Sequence, residues 1–313
     1  QPLGYSKRSF PATAISDNDY LTVTYYDGYA QLTSTNGFTN LGFVGKPGLI
    51  AYSNGTSYFP RVSGLVTGSR VKVLDGTEHT ASAKWICSVS YYDDRYRPIQ
   101  TRGTLYGGIA GDGYTTSTRY SFSGLVERVQ EHEVFKGLTT EATTSYTYDH
   151  AGRLGKTEQV ASSGSSTTGT VTLAANAYNA LGQLKEKNLA NGRQSVDYAY
   201  NIRGWLTSIN NPDDLTAAGN SDTYADLFGM RLGYDGTTAT GARSQHNGNI
   251  AEAVWRTGYG TLKRSAYGYS YDALNRLTGS DYWTTPASAL ANSTAYEERG
   301  ISYDLNGNIK TLV

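Results

Sequence analysis

The sequence predicts an all-β protein, an antiparallel sheet assembled from repeated β-hairpins that makes a curved or spiral shell fragment. Three observations lead there. A short pattern built on Tyr followed by Asp or Asn recurs along the chain, Gly or Asn stands at one fixed offset inside it, and the apolar material is aromatic and β-branched. Among 313 residues there are 27 Tyr and 36 Gly but a single Met, a composition that suits pleated strands better than long helices.

The pattern reads Tyr, Asp or Asn, two variable residues, Gly or Asn, one variable residue, then an aliphatic. Five copies are clear. They are Tyr148-Asp149 with Gly152 and Leu154, Tyr178-Asn179 with Gly182 and Leu184, Tyr200-Asn201 with Gly204 and Leu206, Tyr271-Asp272 with Asn275 and Leu277, and Tyr303-Asp304 with Gly307 and Ile309. The tyrosines are separated by 30, 22, 71 and 32 residues. A degenerate copy at His246 to Ile250, with Ser244 in the tyrosine place, partly fills the long gap. Two further degenerate copies lie upstream, Tyr26-Asp27 with Ala30 and Leu32, and Tyr92-Asp93 with Tyr96 and Pro98.

The chemistry of the pattern is that of a three-residue hairpin loop, a type I turn followed by one left-handed residue. Asp or Asn suits the first turn position, and Gly has no steric cost in the left-handed slot, where Asn is also tolerated. Asp149 is then expected to oppose Arg153, and Tyr148 to oppose Leu154. Tyr146 and Tyr148 share a face by the two-residue period of a strand, so successive hairpins can lay tyrosines in rows. Single hairpins are marginal in water, and each needs its neighbours.

The Tyr-x-Tyr-Asp-x-x-Gly-Arg-Leu stretch at residues 146–154 resembles the YD repeats of the Rhs family. Relatives of that family include the shell-forming subunits of insecticidal toxin complexes and the teneurins. The run Val89 to Thr101 is similar to Rhs-type proteins of Bacteroidetes. The resemblance covers roughly residues 90 to 313. It implies a long sheet spiralling into a hollow shell around a C-terminal toxin or effector, and a secreted or cell-surface protein. The family's usual Asp-Pro-x-Gly core, linked to self-cleavage in some members, has no counterpart here, because no Asp-Pro pair occurs. The resemblance therefore carries over the wall and neither a protease nor a cargo.

Other classes are disfavoured in turn. Lys+Arg and Asp+Glu balance at 27 each, so no nucleic-acid backbone or anionic membrane is expected as partner. The apolar run from Leu41 to Tyr52 is broken by glycines and Pro47, and no stretch reaches the ~18 residues of a membrane span. One cysteine, Cys87, allows no internal disulfide and is expected to be a buried thiol. The histidines at 79, 132, 150 and 246 lack metal-ligand spacing, and no cofactor is expected. Glu131-His132-Glu133 places its histidine on the opposite strand face from both acids.

Gly107 to Gly113 and Asp304 to Asn308 only faintly resemble calcium loops, and the second is already explained by a turn. Asp93-Asp94 and Asp213-Asp214 could suit sugar hydrolysis, but both lie in turn-like sequence, so the chain is read as a non-enzyme. The rival function is an adhesion module that stacks a glycan or surface protein on exposed Trp205, Trp255 and Trp283.

Two regions are expected, a degenerate one over 1–140 and a denser repeat region over 141–313, continuous with each other. Ala161 to Gly169 reads as a hairpin tip, and Leu215 to Met230 as the one helical passage. The chain opens at Gln1 as if taken from a longer polypeptide, whose neighbouring repeats and C-terminal cargo would be its first partners.

Overall fold

In a computed structural model, residues 20–45, 57–76, 83–106, 111–216, 224–236, 238–258, 263–284 and 290–312 are described. Among them the chain is nearly all β, with a single 3-10 turn at Ser34–Asn36. Among them twenty strands lie in antiparallel ladders. The chain divides into two compact units, residues 1–171 and 172–313.

The first unit contains β1 (Thr22–Asp27), β2 (Val62–Lys72), β3 (Trp85–Tyr92), β4 (Pro98–Gly103), β5 (Gly113–Tyr120), β6 (Val126–Phe135), β7 (Leu138–Tyr148), β8 (Leu154–Ser163) and β9 (Ser166–Thr167). Each pairs with the next in sequence. Ser163 faces Ser166 across Gly164-Ser165, so the serine- and threonine-rich stretch is a hairpin tip.

The core of this unit sits at its N-terminal end. Residues 28–45 fold over one face of the first strands, and Val23, Tyr25, Phe38, Leu41, Val89 and Tyr91 close together there. Tyr29 stacks on Tyr91 at 5.1 Å and Tyr25 meets Phe38 edge-on at 5.2 Å. Gln100 fastens this cap: its amide donates to the carbonyl of Val44 and accepts the Val44 N–H, both at 2.9 Å. Cys87 is buried in this core, which pushes its thiol up.

The second unit contains β10 (Val171–Tyr178), β11 (Leu184–Leu189), β12 (Gln194–Tyr200), β13 (Leu206–Ile209), β14 (Phe228–Gly233), β15 (Glu252–Thr257), β16 (Arg264–Tyr271), β17 (Leu277–Thr284) and β18 (Ala291–Glu298), again paired in sequence order. A short hairpin, β19 (Ser302–Tyr303) with β20 (Ile309–Thr311), follows. Val254 and Ala266, opposite one another, are fully buried. Loops lie close over this part of the sheet, Asn211 to Leu215 against Gly229 and Thr240 to Ala242 against Gly268.

Between Ile99 and Pro212 no hydrophobic side chain among the described residues is buried. Strands there rely on half-buried rows on both faces, and cross-strand pairs rather than a central core hold them.

One expectation fails. Phe228 to Met230 belong to β14, and Leu215 and Thr216 are not helical; residues 217–223 lie outside the described residues. Phe228 and Met230 instead lie on a strand, with Met230 opposite Trp255 and Ile209.

Candidate functional site: the repeated turn and its staples

Each full copy of the pattern closes the same turn. At residues 148–154, the Asp149 N–H donates to the Arg153 carbonyl and the Gly152 N–H to the Asp149 carbonyl, both at 2.9 Å. The Asp149 carboxylate accepts the N–H groups of Ala151 and Arg153, and its second oxygen takes the Arg153 guanidinium at 2.7 Å. Gly152 lies at φ +76°, where a Cβ would strain the backbone.

The same backbone bonds recur at Asn179, Asn201, Asp272 and Asp304. Gly182, Gly204, Asn275 and Gly307 hold φ of +83°, +79°, +63° and +85°. The residue four places after the Asp or Asn supplies chemistry to match it. Arg276 pairs with Asp272, Asn308 with Asp304, and Gln183 with Asn179. Hydrogen bonds to the ionised form hold the carboxyls low: those from Arg153 and Arg276 backbone lead at Asp149 and Asp272, and that from the Asn308 side chain leads at Asp304.

A β-bulge follows every such turn. Tyr148 opposes Leu154 while Thr147 opposes Lys156, leaving Gly155 extra. Tyr178, Tyr200, Tyr271 and Tyr303 face Leu184, Leu206, Leu277 and Ile309 with the same shift. A bulge adds local right-handed twist, so twist enters the sheet once per repeat.

Successive turns are stapled by the tyrosine hydroxyls. In the first unit, Tyr120 donates to the carbonyl of Pro98 at 3.1 Å and Tyr148 to that of Val126 at 2.7 Å. In the second, Tyr200 reaches Leu184 at 3.0 Å, Tyr271 reaches Ile250 at 2.7 Å and Tyr303 reaches Leu277 at 2.6 Å. The acceptor is each time the residue at the aliphatic position of the preceding copy. Guanidinium groups reinforce the link: Arg97 lies 4.6 Å from the Tyr120 ring and Arg276 4.6 Å from the Tyr303 ring. Each of these arginines binds its own turn carboxylate while its face meets the next repeat's tyrosine.

Two turns escape the five-copy reading. Ser121 replaces the acid at residues 120–126, yet its Oγ accepts the Leu125 N–H at 3.0 Å and Gly124 takes φ +93°. The copy at Tyr92 is complete despite its sequence, with Tyr96 at φ +62° and Arg97 paired to Asp93 at 2.6 Å. The signal available was Tyr followed six residues later by Val126 or Pro98.

Two degenerate copies do not make the turn. At Tyr26 it is Asp27 that takes the left-handed conformation, φ +68°, and its carboxylate binds the Gly64 N–H. Ala30 cannot enter that slot as freely as Gly, and β1 pairs with β2 instead of with Leu32. At residues 244–250 the Gln245 N–H donates back to Tyr234. The duties of one repeat are divided there, because Tyr234 supplies the hydroxyl, to Leu206 at 2.9 Å, and Ile250 supplies the carbonyl for Tyr271. His246 and Asn247 bridge the flanking turns through Arg203 and Asn275.

The tryptophans are half-buried, contrary to the exposure expected for a sugar platform. Trp205 packs on Tyr234 at 5.1 Å and Trp255 on Tyr267 at 5.6 Å. Of the paired acids, Asp93 is buried in its turn, and Asp213 pairs with Arg231 and Arg264. Glu131 and Glu133 are exposed while His132 is half-buried on the other face. Among the described residues no His, Cys, Asp and Glu side chains gather as a metal site, and no helix is long and apolar enough to cross a membrane. His79 and residues 107–110 lie outside the described residues.

The fold and site define a hairpin-repeat protein whose repeats are joined through their turns. Residues 178–216, spanning the turns at Asn179 and Asn201, match the RHS Repeat family. No curated protein matches the chain. Among solved structures, it is similar to chains of three assemblies. One is the TcdB2-TccC3-Cdc42 complex, with 13% identity, TM-score 0.45, and coverage of 82% of this chain and 14% of that one. The second is the Photorhabdus luminescens Tc holotoxin pore, with 11% identity, TM-score 0.36, and coverage of 82% and 16%. The third is TcdB2-TccC3 without its hypervariable C-terminal region, with 13% identity, TM-score 0.38, and coverage of 80% and 15%. The chain thus spans 14 to 16% of the length of those chains.

Proposed function

We propose that this chain is a non-catalytic segment of wall, a YD-repeat sheet that forms part of a shell or surface scaffold and, in the polypeptide that carries it, surrounds a C-terminal toxin or effector. The observation carrying this reading is the staple from a tyrosine hydroxyl to the preceding repeat's carbonyl, seen at Tyr120, Tyr148, Tyr200, Tyr271 and Tyr303. Such a link extends a sheet one hairpin at a time without a thick core, and the bulge in each repeat adds the twist a curved wall requires. The structural role is assigned to the turn residues themselves, from Tyr148, Asp149, Gly152 and Leu154 through Tyr303, Asp304, Gly307 and Ile309. Secretion or display at the cell surface belongs to the same proposal.

Electron microscopy of the longer polypeptide tests it. A hollow particle with the repeats in its wall is expected; a compact, solid particle overturns the reading.

A second reading, a glycan- or protein-binding module, draws on one observation. Trp255, Tyr267, Tyr282 and Tyr296 form a continuous aromatic row, with ring centroids 5.3 to 5.6 Å apart at successive contacts. Glycan-array binding that disappears in Trp255→Ala, with no hollow particle formed, would favour it.

A further inference from the structure

We propose that the first unit carries a binding site for a small dicarboxylate, in the cleft between the cap residues 39–42 and strands β4 to β6. The cleft has a volume of about 460 Å³ and is lined by Leu41, Arg102, Thr115, His132 and Val134 among others, a size that suits a small organic ligand.

Register builds the polar wall. Arg102 opposes Thr115, Thr115 opposes His132, and His132 opposes Glu141, so these side chains form one row across four strands on the capped face. Arg102 donates through Nε to the Thr115 hydroxyl at 3.1 Å and through Nη1 to the Gly42 carbonyl. Both acceptors are neutral. Arg97, Arg153 and Arg276 each hold a carboxylate; Arg102, half-buried and with its pKa lowered by that burial, pairs with none among the described residues. A desolvated cation without a counter-ion is costly, and a planar guanidinium with a free edge matches a carboxylate.

The nearby acids are otherwise engaged. Glu141 accepts from Gln130 at 2.7 Å and Asp112 from the Lys136 N–H at 2.7 Å. His132, half-buried in the same wall, makes no hydrogen bond or ion pair with the described residues. It stands one strand beyond Thr115, roughly 9–10 Å from Arg102 between backbones, so one ligand serving both must carry two acceptor groups. Leu41 and Val134 offer apolar surface to the carbons between them.

Isothermal titration of the full chain with sodium succinate, at ionic strength held constant with sodium chloride, tests the site. The four histidines allow a parallel reading by histidine-selective NMR. Saturable binding that moves the His132 signal is expected, with acetate at least about tenfold weaker and Arg102→Gln weaker by a similar factor. His132→Gln, which breaks no bond among the described residues, should also weaken binding, while Glu131→Gln on the opposite face should not. Arg102 also holds Gly42, so its variant is checked by circular dichroism; if it fails to fold, His132→Gln decides. Lack of saturation by roughly 50 mM succinate, acetate binding equally well, or full affinity in His132→Gln would each overturn the proposal.

Discussion

Gly152 offers a substitution whose effect can be separated into strain and clash. It holds φ +76°, and a Cβ built there meets only the Leu125 Cδ1 at 3.9 Å, an ordinary contact. Replacement therefore adds no overlap, and what remains is the left-handed backbone, roughly 1–2 kcal/mol for a residue with a Cβ. The Gly152 N–H closes the turn onto the Asp149 carbonyl at 2.9 Å, so the residue cannot relax to an extended φ without losing that bond. Gly152→Ala should cost about 1 kcal/mol and Gly152→Val about 2, β-branching being the worse fit to positive φ. Gly152→Asn should stay within about 0.5 kcal/mol, since Asn tolerates this region and Asn275 fills the same slot at φ +63°. Gly169→Ala is the control: nothing lies within 4 Å of its Cβ and its φ is not left-handed, so it should be neutral or slightly stabilising through the unfolded chain. Urea unfolding followed by circular dichroism gives the ranking from shifts in midpoint at constant m-value. Ala and Val as stable as Gly, or Asn as damaging as Val, would refute the strain account.

Removing one staple should weaken a repeat without disturbing its own turn. Tyr271→Phe loses the 2.7 Å bond to Ile250 and leaves a part-buried carbonyl unpaired, about 1–2 kcal/mol; an unchanged urea midpoint would count against the staple. The turn acids predict an acid limit. Asp149, Asp272 and Asp304 are held below their ordinary value of 3.8 in the fold, so they stabilise above that value and the contribution fades as pH falls through and beneath it. Midpoints at pH 7, 5 and 3 should therefore stay level at first and then drop, and Asp149→Asn should reduce the drop. Cys87, buried and with its thiol pushed up, should react with a thiol reagent only after unfolding; fast reaction of the native protein would show that the cap opens.

What the sequence discloses and what it hides follow from the range of each interaction. The turn is local: every bond that closes it joins residues within five positions, so Asp149, Gly152 and their counterparts are legible as a spacing. The local rule misjudges residues in two directions. Tyr96 sits where Gly was expected and still adopts φ +62°, because the Arg97 and Asp93 pair and the strands on either side hold the turn closed. Asp27 keeps the motif's first two residues and yet makes no hairpin, because its strand pairs with β2 across more than thirty intervening residues. Phe228 to Met230, expected as the end of a helix, are strand for the same reason, as the register of β14 against β13 and β15 overrides local preference. The staples are the least legible feature, since each joins a tyrosine to a carbonyl 16 to 28 residues earlier. Backbone carbonyls carry no residue code, so Leu184 and Ile250 accept equally well, and the Tyr234 and Ile250 arrangement survives in a repeat whose own turn has vanished. That tolerance lets the spacing of successive tyrosines vary from 22 residues, Tyr178 to Tyr200, to 37, Tyr234 to Tyr271, while the linkage between neighbours persists, because the link needs a hydroxyl and a register rather than a contiguous motif.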